Sequence, residues 1–195
     1  MNRLSSQTSV GLDNDELVHL ALYAMRNDRH DEAMSLLKRA IEASPDSATA
    51  HYLLGAEHAQ IGLYDRAVAE MAESVRLDPG IPAAHFQLGL LHLTAGRVRE
   101  AEAAWQPLER LAVDDPLRLF KSALLHLVNE ERELCIQELQ AGIGRNTLNE
   151  ALNDDMRRLL ADLQARRGGG AEVPVPSKRM LLSTYEQNPD DTATD

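Results

Sequence analysis

The segments HYLLGAEHAQIGLYDRAVAE (residues 51–70) and HFQLGLLHLTAGRVREAEAA (residues 85–104) decide the fold, because they carry one pattern at an offset of 34 residues. Each begins with His, has Leu-Gly at the fourth and fifth positions, and continues through a second His, a Gly and an Ala. The same offset relates Leu20 to Leu54 and Leu88, as it relates Ala33 to Ala67 and Ala101. A fixed period of this length is the signature of a repeat architecture.

Each repeat contains two segments with apolar residues at i, i+3, i+4 and i+7, the spacing of an amphipathic helix. Gly62 and Gly96 lie between the two segments, where a tight turn between helices favours a residue without a side chain. Neither helix can bury its apolar stripe alone, so neighbouring pairs must stack. The sequence therefore predicts an all-α solenoid of helix-turn-helix units.

Composition excludes several classes of function. The 195 residues carry 20 basic and 31 acidic side chains, a net charge of −11, which argues against a nucleic-acid partner. No apolar run reaches the length of a membrane span, and residues 1–6 lack the apolar core of a secretory signal, so we expect a cytoplasmic protein. The single cysteine, Cys135, excludes a disulfide scaffold and a multi-cysteine metal site.

The residues at each phase of the period identify the unit. The pattern resembles the tetratricopeptide repeat in its second unit at His51, Leu54, Gly55, His58, Gly62, Tyr64, Ala67, Met71 and Pro79. The third unit matches similarly, the first is looser, and a fourth, degenerate unit ends near Gly142. The resemblance covers residues 13–142 and implies four repeats. It is specific as to fold and nearly silent as to function, because this family binds many unrelated partners.

The remaining segments have their own character. We expect residues 1–12 to be flexible and the solenoid to span residues 13–167, closed by a capping helix over residues 147–166 with Asn146 as its N-cap. Its buried stripe is predicted to be Leu148, Leu152, Met156, Leu159, Leu160 and Leu163. The tail 168–195 contains Gly and Pro and is expected to be disordered, with a short apolar segment at residues 180–185.

The resemblance places the first helix of each pair on the concave face of the solenoid. On this helix one stripe of residues packs against the second helix of the pair. The neighbouring stripe, one residue further along the chain, is then expected to line a groove, and it is apolar in all four repeats. Three aromatic residues in this stripe, Tyr52, Phe86 and Phe120, are 34 residues apart and predict a ladder of rings along the groove. An open alternative is that a tightly wound solenoid buries the stripe between its helices. The predicted groove residues are Val18, Leu22, Met25, Tyr52, Ala56, Ala59, Phe86, Leu90, Leu93, Phe120, Leu124 and Leu127.

An apolar groove predicts non-enzymatic binding of an apolar protein segment, as an adaptor or chaperone. The positively charged clamp by which some family members grip acidic peptides is missing, and the groove resembles that of the tetratricopeptide chaperones of bacterial secretion systems. The alternative is a structural subunit whose groove is filled by a partner, by another copy or by its own tail. The tail segment Met180–Tyr185 is apolar enough for that role or for self-association. No set of polar groups converges as an enzyme would require.

Histidine and cysteine are expected to be structural. Five of the 7 histidines follow the period, but equivalent residues one repeat apart are too distant to share a metal ion, so we expect a packing role, no metal and no cofactor. Cys135 takes the small-residue position that alanines occupy in the other repeats, and a buried, inert thiol is expected there. Trp105 is expected in the core. The client, its conformation and its pathway stay open.

Overall fold

The computed structural model describes residues 12–165, which form α-helices, one 3₁₀ helix and no strand. The all-α solenoid predicted from the sequence is thereby confirmed. Residues 1–11 and the tail 168–195, with its apolar segment 180–185, lie outside the described residues. The helices are α1 (Asn14–Arg26), α2 (His30–Ala43), α3 (Ala48–Gln60), α4 (Tyr64–Leu77), α5 (Pro82–Thr94), α6 (Val98–Trp105), the 3₁₀ helix (Gln106–Arg110), α7 (Pro116–Val128), α8 (Arg132–Arg145) and α9 (Glu150–Ala165).

Consecutive helices pack as four pairs, α1 with α2, α3 with α4, α5 with α6, and α7 with α8. The second helix of a pair also packs on the first helix of the next pair, as α2 does on α3 and α4 on α5. In the third repeat α6 stops after 8 residues, because Pro107 has no N–H for the helical ladder and opens the 3₁₀ helix instead. That 3₁₀ helix provides part of the contact with α7.

The turn inside each pair shows the same backbone conformation in all four repeats. Gly62 and Gly96 adopt φ of 81° and 74°, and the residues at the equivalent positions of the first and fourth repeats, Asp28 and Glu130, adopt 54° and 61°. This left-handed region is open to glycine and disfavoured for most other residues. The 34-residue period therefore persists in the backbone of the two repeats whose sequences are degenerate.

Glycines allow the two helices of a pair to approach closely. A Cβ atom on Gly89 of α5 would lie 2.1 Å from Nε1 of Trp105, at the end of α6. A Cβ atom on Gly142 of α8 would lie 2.4 Å from Cε1 of Phe120 in α7. In both pairs a large ring therefore occupies the space that the Cβ atom of any residue other than glycine would need.

Two histidines at one phase, His51 and His85, connect the first helices of the second and third repeats to neighbouring segments. His85 has Nδ1 at 3.0 Å from the carbonyl oxygen of Ala104 and Nε2 at 3.1 Å from that of Pro79. His51 has Nδ1 at 2.7 Å from Oε2 of Glu70 and Nε2 at 3.2 Å from the carbonyl oxygen of Pro45. Each ring thus connects the second helix of its own repeat with the turn that precedes the first helix. Such contacts are those of a histidine in a packing role.

The capping helix α9 begins at Glu150, three residues later than predicted, and Asn146 is not its N-cap. Asn149 is the cap, because its Oδ1 accepts a hydrogen bond from the backbone N–H of Leu152 at 2.9 Å. Asn146 instead follows the end of α8 and donates from Nδ2 to the carbonyl oxygen of Asn149 and to Oδ1 of Asn153. This buried asparagine network fixes the corner between α8 and α9.

The start of the buried stripe of α9 is also corrected. Leu148 precedes the helix and is 69% exposed, so it takes no part in the lid. The outer side of α9 is polar, as expected for the end of a solenoid. The leucine and methionine side chains that α9 buries are Leu152, Met156, Leu159 and Leu163, while Leu160 is half-buried.

Replacing Gly89 by Ala should destabilise the fold by about 1–3 kcal/mol, because the new methyl group overlaps the Trp105 ring. The matched control is Gly144→Ala in α8, where nothing lies within 4 Å of the added Cβ. That change should stabilise the helix by about 0.5–1 kcal/mol. Urea unfolding of both variants measures the difference, and a neutral Gly89→Ala would contradict the close packing.

Candidate functional site

The twelve residues predicted to line the groove lie on α1, α3, α5 and α7, and we call them the first-helix row. The prediction that this row is open to solvent is wrong for ten of the twelve, which are at most 8% exposed. Only Leu22 and Met25 are half-buried, and they pack against the same apolar core as the rest. The structure thus brings the row into one apolar cluster but does not leave it exposed. A role of the row in binding stays a prediction.

Phe86 is sealed by the end of the second helix of its own repeat. Its ring stacks on Trp105 with ring centroids 6.2 Å apart and 26° between the planes. The Trp105 indole also donates from Nε1 to the carbonyl oxygen of Phe86 at 2.8 Å. Because Gly89 lets the indole approach α5, the ring one residue beyond the packing stripe becomes core as well. The expectation that Trp105 is a core residue is confirmed, since it is 1% exposed.

Phe120 is also buried by a contact between a ring and a glycine, but in the fourth repeat the glycine is on the second helix. Its ring lies against Gly142 of α8 and is fully buried. Tyr52, the third member of the predicted ladder, is 8% exposed. The three rings therefore belong to the interior between helices instead of forming an open ladder.

The helix α5 is buried around its whole circumference. Every residue from Ala83 to Leu91 is buried, although the described elements that pack extensively on α5 are α4, α6, the 3₁₀ helix and α7. A helix in a two-layer solenoid ordinarily keeps one exposed side. The apolar row is thus removed from water along the whole of this helix.

Charge near the row is neutralised. Lys121, on α7, is 7% exposed and forms an ion pair with Glu109 of the 3₁₀ helix. Arg118 also pairs with Glu109, at 3.1 Å between Nη2 and Oε2. These contacts leave Lys121 committed to a carboxylate of the chain itself. Beside the α7 part of the row, these two cations are therefore already paired within the chain.

A cleft of about 440 Å³ opens between α2, α3 and α4. Its charged groups have both signs, and His51 and Glu70 within it already pair with each other. Among residues 12–165 no group of three or more His, Cys, Asp or Glu side chains is arranged to hold a metal ion. The side chains that give the cleft its character are Lys38, Ile41, His51, His58, Arg66 and Glu70.

Burial shifts three titratable groups between the repeats. Burial raises the pKa of Glu57, an effect opposed by His30, whose Nδ1 lies 2.9 Å from Oε2 of the carboxylate. Burial lowers the pKa of His58 and, in the next repeat, that of His92. Both imidazoles are therefore held in the neutral form more strongly than an exposed histidine.

Cys135 is buried in α8, where desolvation raises the pKa of its thiol to about 11. The thiolate is thus a minor form near neutral pH, and the thiol packs as a small apolar group. None of the helices between residues 12 and 165 has both the length and the apolar character that a membrane crossing requires.

Sequence reasoning missed a surface on the first helix. Leu20 and Tyr23 of α1 are 44% and 60% exposed, although the residues at the same phases are buried in the second and third repeats. The periodic pattern could have predicted this exposure, because within the periodic region no helix pair precedes the first repeat to cover these two positions.

These features define an all-α solenoid of stacked helix pairs with a polar terminal helix. The Tetratricopeptide repeat family model matches residues 19–82 and 56–116, which together span half of the chain. The chain belongs to the tetratricopeptide repeat family, and its fold is that of a protein–protein interaction module. None of the curated proteins matches the chain significantly.

Solved structures with the same fold are distant in sequence. MamA residues 41-end from Desulfovibrio magneticus RS-1 is 18% identical, with a TM-score of 0.59 over 79% of this chain and 85% of that one. YrrB, described as a TPR protein with an unusual peptide-binding site, is 15% identical, with a TM-score of 0.56 over 90% and 86%. A chain of the APC/C hetero-tetramer Cut9-Hcn1 is 17% identical, with a TM-score of 0.68 over 78% and 30%.

Replacing Phe86 by Ala should lower the free energy of unfolding by about 3–5 kcal/mol, because the side chain is fully buried against Trp105. Phe86→Asp should destabilise the fold for the same reason, because it would place a carboxylate in this buried site. Leu148→Ala is the control and should change stability by less than about 0.5 kcal/mol. Denaturant unfolding compares them, and equal effects would place Phe86 on the surface.

Stability should fall as the pH is lowered from about 7.5 to about 5.5, because the folded-state pKa values of His58 and His92 lie below the unfolded value. At the lower pH the unfolded chain therefore binds more protons than the folded chain, which favours unfolding. In the double variant His58→Gln/His92→Gln the fall should be smaller, whereas exposed His19→Gln should keep it in full. Thermal unfolding at both pH values measures this.

Proposed function

We propose that the chain is a non-catalytic adaptor or chaperone that holds an apolar protein segment along the first-helix row. In this proposal the row is covered in the absence of the segment, and the segment replaces the cover. The observation that carries this proposal is the burial of α5 on every side, together with the apolar character of the row in all four repeats. The peptide-binding site named for YrrB supports a segment as the class of ligand.

Energetics favours a covered row. Leaving a fully exposed Leu or Phe in water costs about 1.5–3 kcal/mol relative to burying it. Phe86, Leu90 and Phe120 are each fully buried, so uncovering them together would be strongly unfavourable. A client segment would therefore have to replace an existing cover, and the half-buried residues Leu22 and Met25 are where it would enter.

The same burial favours a second candidate function. In that account the chain is a structural subunit whose row is filled permanently by its own tail or by another copy. The candidate segment within the chain is Met180–Tyr185, outside the described residues. The two functions differ in whether the cover can be exchanged.

The experiment replaces two apolar residues of that segment in the full chain, Leu181→Asp/Leu182→Asp. The matched control, Ser183→Asp/Thr184→Asp, adds the same charge to the same segment. If the segment is an exchangeable cover, the first variant should bind the apolar dye bis-ANS and a peptide of residues 178–187 about tenfold more tightly than the control. Binding is measured by fluorescence titration.

Two other outcomes separate the accounts. If the first variant loses helical content while the control does not, the segment is a permanent part of the fold and the structural role is favoured. If both variants behave as the parent chain, the solenoid seals the row by itself, and the proposed groove function is wrong.

A further inference from the structure

The outer side of α1 exposes two large apolar side chains among charged ones, at positions where the repeat predicts a neighbour, and the guanidinium of Arg29 lies 5.1 Å from the centroid of the Tyr23 ring. Leu20 is 44% exposed and Tyr23 is 60% exposed. The residues at the same two phases in the second and third repeats are all buried. They are Leu54 at 3% and Leu88 at 8% exposure, and Glu57 at 3% and Leu91 at 2%.

The cause of this difference is the preceding helix pair. The second helix of one repeat packs on the first helix of the next, α2 on α3 and α4 on α5, and His30 at the start of α2 reaches Glu57. Within the described part of the chain, α1 packs mainly on α2 and makes a smaller contact with α3, and both helices lie later in the solenoid. The first repeat thus leaves uncovered two positions that a preceding helix pair covers in the second and third repeats.

Charge along α1 selects the orientation of such a helix. Asp15 and Glu16 lie at its start and Arg26 at its end, on either side of Leu20 and Tyr23. Arg26 is exposed and makes no ion pair with another described residue. An antiparallel helix with the same charge order would set acidic groups against basic groups at both ends, and α1 itself is such a helix.

We propose that this surface binds a second copy of the chain, with α1 packed antiparallel against α1 of that copy around a two-fold axis. Leu20 and Tyr23 then meet their counterparts, and Asp15 faces Arg26 of the second copy. An isologous contact of this kind closes on itself and gives a dimer. The proposal is independent of the first-helix row and of its function.

The opposite end of the solenoid argues against head-to-tail stacking. The outer side of α9 exposes charged side chains and no large apolar residue, so it offers a poor surface for α1 of another copy. A 13-residue helix is about 20 Å long, which makes the contact smaller than a standard interface of about 800 Å² per partner. The dimer should therefore depend on concentration. The exposed charged residues of α9 are Glu150, Asp154, Arg157, Arg158 and Asp162.

Sedimentation velocity of the full chain over a wide concentration range tests the proposal. We expect a monomer–dimer equilibrium, and Leu20→Arg should raise its dissociation constant about tenfold or more. The matched control is Leu134→Arg on α8, where the leucine is 45% exposed, and it should leave the equilibrium unchanged. Circular dichroism confirms that both variants keep the parent fold.

A charge exchange tests the antiparallel geometry. Arg26→Asp should weaken the dimer by placing like charges opposite each other, and the double variant Asp15→Arg/Arg26→Asp should restore it, because both ends are inverted together. A monomer at all concentrations would overturn the proposal, as would a dimer indifferent to Leu20→Arg. A dimer that forms only after residues 1–11 are removed would also overturn it, because that result assigns the surface to the chain's own first residues.

Discussion

The packing of a large ring on one helix against a glycine of its partner helix is the constraint on which this structure depends. Trp105 fits over Gly89, and Phe120 fits over Gly142, with no room for a Cβ atom in either place. Because the partner helices come this close, side chains next to the packing stripe also reach the second helix. The same contact therefore sets the spacing within a pair and decides which residues remain at the surface.

This constraint shapes what the module can bind. A solenoid with open pairs would present its first helices to solvent, whereas here the first-helix row is desolvated along α5. Two apolar surfaces that remain near the first repeat are at the edges of this buried row. They are the half-buried residues Leu22 and Met25 at one end of the row, and the outer side of α1 with Leu20 and Tyr23. The polar α9 leaves the other end of the solenoid closed.

The sequence predicted the architecture well, because period and helical spacing are properties of the chain itself. The 34-residue offset placed the turns at Gly62 and Gly96, and the backbone repeats that turn at Asp28 and Glu130. The groove was predicted poorly. Helical periodicity gives the side on which Phe86 or Phe120 lies, but the distance to the neighbouring helix depends on Gly142 and on the reach of Trp105. The sequence did not predict the exposed positions on α1, because the repeat pattern treats Leu20, Leu54 and Leu88 as equivalent. The helices that surround these three residues differ, and so does their exposure.

Acrylamide quenching of tryptophan fluorescence tests the central packing most directly, because Trp105 is the chain's single tryptophan and lies against Phe86. The buried indole, 1% exposed and hydrogen-bonded through Nε1, should give blue-shifted emission and strong protection from the quencher in the folded chain. Protection should disappear on unfolding in urea. Emission and quenching in the folded chain equal to those of the unfolded chain would contradict the account, because they would place the ring in water and leave the close approach of α5 and α6 unexplained.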